Sequence, residues 1–273
     1  MFLNCNRLIC VLASFCLSAP AVAAADSLIR IGGSGMGLAT LRILVTEYSL
    51  NHPGITAKVY PSMGSSGSIK GIQAGALDIG ISSRTLTISE QGTLLAHPYA
   101  KTPFVIAAAP GTPLDSLSLN QLAKLYLGSP RTWADGTPVR LILRPTTDSD
   151  HAALQSVSPE IAQALNHAQQ RVGLLVPDTD QEAASALEKL PGAIGSTTLA
   201  LVLSEKRKVK LIALDDVKPS LENLANGSYP YHKKMFLILR RNASLDIRSF
   251  VEFIFSPAGK LILEANGQLP VRE

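Results

Sequence analysis

Short apolar runs alternate with helix-period patterns along most of this chain, and glycine and serine crowd the junctions between them. "SLIRIGG" reads as a strand and leads into "MGLATLRILVTEYSLNH", where Leu38, Leu41, Val45 and Tyr48 fall on one helical face at steps of three and four. "ITAKVYP" leads into "GSIKGIQAGAL", "DIGISS" into "TISEQGTLLA", and "PFVIAAAP" into "SLSLNQLAKLYLG". "PVRLILRP" leads into "DHAALQSVSPEIAQALNHAQQ", where Pro159 suits the first turn of a second helix. A helix with an Asp cap ("DTDQEAASALEKLPG"), strands "AIGSTT" and "VKLIAL", the extended run "YPYHKKMFLILRR" and two helical pieces around Pro257 complete the pattern. Such alternation requires an α/β architecture with mostly parallel sheets. No internal repeat and no Pro/Gly/Ser linker divides the chain, so two lobes would require it to cross between them more than once.

The N-terminus has the form of an export leader, expected at 1–23. Arg7 supplies the positive charge, and Leu8 to Leu17 is an apolar run too short to span a bilayer. Ala21-Val22-Ala23 offers the small residues of a cleavage site. All three cysteines (Cys5, Cys10, Cys16) lie in this leader, so the mature chain is expected to have neither disulfides nor a thiol nucleophile. Phe15 is too bulky for a lipidation site at Cys16. The expected product is a soluble periplasmic protein. The formal charge of +4 is mildly basic, and no basic run carries interleaved aromatics, which excludes nucleic acid as a partner. "EKRKVK" (Glu205 to Lys210) reads as a solvated turn.

Three junction clusters carry the chemistry: "GGSGMG" (Gly32 to Gly37), "SMGSSGS" (Ser62 to Ser68) and "ISSR" (Ile81 to Arg84). Each follows a strand, at the place where open α/β sheets bind ligands. Helix N-termini there present free N–H groups and a positive dipole end; glycine lets the backbone approach, and serine adds hydroxyls. One cap needs one such residue, whereas a tetrahedral anion uses many donors. A fourth piece, "LRPTTDSD" (Leu143 to Asp150), ends a strand with Arg144, which can clamp an oxyanion through paired hydrogen bonds. Asp148 or Asp150 could accept a hydrogen bond from the protonated oxygen that phosphate keeps at neutral pH and sulfate lacks, or could simply cap a helix. Each cluster alone also reads as an ordinary turn, and "GGSGMG" lacks the third glycine of a dinucleotide fingerprint because Leu38 stands there. No Gly-x-Ser-x-Gly elbow occurs, and the five histidines (His52, His97, His151, His167, His232) have no metal-ligand spacing. No enzyme activity, cofactor or metal is expected.

In combination, "GSSGS" with "ALDIGISSR", then "PGAIG", then "NGSYPY" resemble the periplasmic phosphate-binding proteins of ABC phosphate transporters, the PstS type. The resemblance covers nearly the whole mature chain. It implies a two-lobe type II periplasmic binding protein (Venus-flytrap) fold with a hinged inter-lobe cleft. It also implies inorganic phosphate as ligand, a membrane ABC permease as partner and a monomer. Lobe one would be 24–103 plus 236–273 and lobe two 104–235. Carried over by position, the ligand-binding set would be Ser34 with Gly35 and Met36, Ser65 with Ser66, Ser82-Ser83 with Arg84, then Arg144 and the loop Thr147, Asp148, Ser149 and Asp150. The chain departs from the family at two places: Ser83-Arg84 stands where many members carry an acidic residue, and Asp148-Ser149-Asp150 replaces Ser-Gly-Thr. The alternatives are a phosphate-sensing module without transport and a receptor for sulfate or molybdate.

Overall fold

The structure is a computed structural model that describes residues 27–271; the leader expected at 1–23 lies outside them. The chain opens with β1 (Ser27–Gly33), α1 (Gly35–Asn51), β2 (Ile55–Ser62), α2 (Gly64–Gln73), β3 (Ile79–Ser82), a 3-10 turn (Ile88–Glu90) and the 15-residue β4 (Leu94–Ala108). It continues with β5 (Ser116–Leu117), α3 (Leu119–Leu127), β6 (Arg140–Ile142), α4 (Ser149–Gln155), α5 (Pro159–Gln169), α6 (Asp180–Lys189), β7 (Ala193–Thr198), α7 (Leu199–Ser204), β8 (Lys210–Leu214) and α8 (Leu221–Asn226). β9 (His232–Arg240), α9 (Leu245–Phe255), α10 (Pro257–Ala265) and β10 (Leu269–Pro270) close it.

The strands run in the order β2-β1-β3-β9-β4-β7-β6. β1 pairs in parallel with β2 and β3, as the strand–helix alternation requires. β9 then enters antiparallel between β3 and β4. Beyond β4 a second group forms: β7 and β8 pair antiparallel with β4, and β6 lies parallel to β7. β4 changes partner part-way along. Its register with β9 ends at Pro103 opposite His232, and its register with β7 begins at Phe104 opposite Thr198.

Two main cores follow from this division. Leu38, Leu41, Leu44 and Tyr48 of α1 pack with Ile31, Ile79, Ile81 and Met235 on the first group of strands and with Phe250 of α9. Phe104, Ile106, Leu122, Tyr126, Ile161, Leu165 and Ile212 pack on the second. Fully buried side chains such as Leu41 and Leu44 each contribute roughly 1.5–3 kcal/mol relative to exposure. Gly33 joins β1 to the first core at φ +141°, where an added Cβ would come within 2.6 Å of the Ile81 backbone nitrogen, so only glycine fits.

Two local expectations change. "TISEQGTLLA" is a single 3-10 turn followed by the start of β4, because its Thr87–Glu90 capping box closes one turn and Leu94 already pairs with Arg240. The cap of α6 is Thr179, which forms a capping box with Glu182; Asp180 is the first helical residue.

Thr102 lies just before the change of partner. Its hydroxyl donates to Gly267 O at 2.8 Å and accepts from Ala200 N at 3.0 Å, fully buried. Thr102→Val leaves that amide and carbonyl unpaired, and we expect a loss of about 1–3 kcal/mol in urea unfolding.

Candidate functional site

The three serine–glycine clusters converge because their strands are neighbours. At the carboxyl ends of β1, β2 and β3, Gly33 pairs with both Ser62 and Ile81. α2 starts at Gly64 behind Met63, so Ser65, Ser66 and Gly67 form the first helical turn and not a loop before it. The Ser65 hydroxyl accepts from Ser83 N at 2.9 Å and lies 3.0 Å from Ser83 Oγ, locking the second cluster to the third. Ser82 is buried and turned inward: its hydroxyl donates to Arg84 O at 2.7 Å. The Arg84 guanidinium meets both oxygens of Glu90 at 2.8 and 2.9 Å. That bond chiefly holds the Glu90 carboxyl down to about 2.

Facing this wall is the loop after β6. Asp148 caps α4 by accepting from Asp150 N at 2.7 Å. Between the two walls lies a cavity of about 1150 Å³. Ser65, Ser66, Ser83 and Arg84 line it from one side, Thr147, Asp148 and Ser149 from the other, and Lys233 of β9 from a third.

The remaining expected residues, Ser34, Gly35, Met36, Ser82, Arg144 and Asp150, are not part of the cavity lining. Arg144 is 4% exposed. It donates to Asp148 Oδ2 at 2.9 Å, to Asp180 Oδ1 at 3.2 Å and to Pro177 O at 2.9 Å. Lys233 is 5% exposed; it binds Ser149 Oγ at 2.8 Å and forms a close ion pair with Asp150. Asp148, Asp150 and Asp180 bring their carboxylates within 4.8 Å of one another, and Arg144 and Lys233 are the cations paired with them. Burial, then the Asp150 charge, push Asp180 up to about 6 against the pull of Lys233 and Arg144. Burial would lower the Lys233 ammonium, but Asp150 and Asp180 outweigh it and hold it above its ordinary value. His151 is also 5% exposed, lies 3.3 Å from Gln169 through Nδ1, and is lowered by burial.

The two walls touch where the N-terminus of α1 meets that of α6. Gly35 opens α1 directly against α6: an added Cβ would lie 2.7 Å from Gln181 Nε2 and 2.8 Å from the Asp180 Cβ. Gln181 Nε2 donates to Gly35 O at 3.2 Å, and the Ser34 hydroxyl donates to Asp180 Oδ2 at 3.3 Å.

This arrangement of two cores flanking a polar cleft is matched by a family model described as a PBP superfamily domain, over residues 18–258. The chain belongs to the PBP superfamily. Its fold is the two-lobe type II periplasmic binding protein fold. Among similar proteins, the phosphate-binding protein PstS of Bacillus subtilis is 23% identical over 77% of this chain and 70% of its own. A crystal structure with bound phosphate, assigned as a phosphate ABC transporter substrate-binding protein from Clostridium perfringens, matches at TM-score 0.76. It is 22% identical over 90% of this chain and all of that one. An ABC-type phosphate transport receptor from Vibrio cholerae matches at TM-score 0.60, with 21% identity over 88% of this chain and 99% of that one.

Two residues of this buried charge cluster escaped the sequence reading. Lys233 carried a usable signal: the alternation Lys233, Met235, Leu237 puts all three on the buried face of β9. Asp180 had no distinct signal, because its segment was read only as a helix with an Asp cap, a task that Thr179 performs.

Removing one member of the buried Lys233–Asp150 pair strands the other charge. We expect Lys233→Met to cost about 3–5 kcal/mol in urea unfolding near neutral pH, and Lys233→Met with Asp150→Leu to recover most of it.

Proposed function

We propose that this chain is a periplasmic solute-binding protein that captures inorganic phosphate in the cleft between its lobes and hands it to a membrane ABC permease. The observation that carries this reading is the hydroxyl lining of the cavity. Ser65, Ser66 and Ser83 face Thr147 and Ser149, and Arg84, Asp148 and Lys233 also line the cavity. Neutral hydroxyls and the first-turn amides of α2 suit a compact oxyanion with several acceptor oxygens. The phosphate-binding names of the similar proteins support the same ligand.

The lobe division expected from sequence, 24–103 plus 236–273 and 104–235, is part of this proposal. It is supported by the change of partner along β4 at Phe104 and by the start of β9 at His232, where the two crossings would act as a hinge. Export through the leader and action as a receptor, with no chemical turnover, complete the reading. Among the described residues no helix is long and apolar enough to cross a membrane.

Titration calorimetry on the chain from residue 24 onward, dialysed free of anions, tests the ligand. Phosphate is expected to bind, with sulfate and molybdate weaker. Ser65→Ala is expected to weaken phosphate roughly fivefold, the value of one hydrogen bond of about 1 kcal/mol. Heat with sulfate or molybdate and none with phosphate would reassign the receptor to another oxyanion.

A further inference from the structure

Ser34 and Arg144 were expected to clamp an oxyanion between them, and in the structure a carboxylate of the chain itself stands there. Asp180 offers one oxygen to each: Oδ2 accepts from the Ser34 hydroxyl at 3.3 Å and Oδ1 from Arg144 Nη2 at 3.2 Å. A carboxylate has the charge and acceptor geometry of half a phosphate, and Arg binds both in the same manner. We propose that Asp180 is a built-in competitor for the oxyanion seat: its carboxylate holds the place between Ser34 and Arg144, and an anionic ligand reaches Arg144 only by displacing it. This rests on reading the cleft as an oxyanion receptor, and it makes Asp180 the residue that sets how strongly an anion must bind.

Three observations support competition over a purely structural bond. First, Asp180 is free of the usual duty at its position, because Thr179 and Glu182 already cap α6 reciprocally. Second, α1 and α6 meet at their N-termini around this carboxylate, with Gly35 and Gln181 in contact. The positive ends of both helices thus favour an anion at this point. Third, the seat is finely balanced. Asp148 and Asp150 face Asp180 from α4 and its cap, Lys233 faces it from β9, and Arg144 from the end of β6. The two like charges oppose ionisation and the two cations favour it, with burial the largest influence. Asp180 therefore changes charge near pH 6, where it is pushed up to about 6. A protonated Asp180 loses its attraction for Arg144, so competition is full above that pH and fades below it.

The experiment compares the native chain with Asp180→Asn, which keeps the side chain's shape and removes its charge. Phosphate is titrated calorimetrically at about pH 8 and about pH 5, and the ratio of the two proteins' affinities at each pH cancels the titration of phosphate itself. Asp180→Asn is expected to bind phosphate about tenfold more tightly at the higher pH and less than about threefold more tightly at the lower. Equal or weaker binding by the variant at the higher pH overturns the proposal.

A second readout needs no ligand. The described residues contain no cysteine, so spin labels at Leu50→Cys in α1 and Val172→Cys after α5, both exposed, report the separation of the two lobes. With Asp180 as the bridge, the distance distribution broadens in Asp180→Asn at the higher pH and in the native protein as pH falls through about 6. Such broadening with no phosphate binding to either protein would retain Asp180 as the occupant of the seat and remove phosphate as the ligand. No broadening together with no binding would overturn both.

Discussion

One strand belongs to both halves of the molecule, and the rest of the architecture depends on it. β4 is hydrogen-bonded to β9 up to Pro103 and to β7 from Phe104 onward. Backbone groups inside a sheet have no cheap alternative partners, so neither ladder can be given up without leaving donors and acceptors unpaired. The two cores must therefore sit on either side of that one point. β9 returns beside it, and the loops that end β1, β2, β3 and β6 are brought to face one another. The cleft is thus a product of strand pairing. Its hydroxyls do not create it; they are placed where the pairing leaves a gap.

Within that cleft, neutral and charged donors are kept apart. The cavity wall on the α2 side carries hydroxyls bonded to each other or to backbone, which can turn towards a ligand at little cost. The full charges of Arg144 and Lys233 lie deeper, each held by carboxylates. Withdrawing charges from water is expensive unless they are paired and hydrogen-bonded, which explains why both cations have acceptors on more than one side. The Asp148-Ser149-Asp150 segment is what distinguishes this loop chemically. Its two carboxylates turn to Arg144 and Lys233, one to each, and Asp150 together with the Ser149 hydroxyl bonds the loop to Lys233 of the returning strand.

Much of the fold was legible because period and punctuation agree. The alternation of apolar runs predicted mostly parallel pairing, which holds for β1, β2 and β3 but not around β9 and β4, and Pro159 and Pro257 marked helix starts that the structure keeps. The 15-residue β4 was less legible. "TLLAHPYAK" carries Pro98 and little alternation, so its role as a strand depends on β9 lying opposite, which is tertiary information. The site divides in the same way. Ser65, Ser66, Ser83, Thr147 and Ser149 could be read from strand–helix junctions, and they line the cavity. Arg144 was legible as an anion clamp, but not its engagement by Asp180, which is 36 residues away. Charge pairs between distant segments leave no periodic trace in a sequence.

The contact at Gly35 has a mechanical consequence. The lobes meet there with no room for a methyl group, since Gln181 and Asp180 already occupy the space that a Cβ would need. Any larger side chain at 35 would act as a wedge between the N-termini of α1 and α6 and press the two walls of the cleft apart. A spacer there would act through Gln181 and Asp180, the side chains that already fill the contact. This single glycine therefore sets how closely the two helix N-termini can approach.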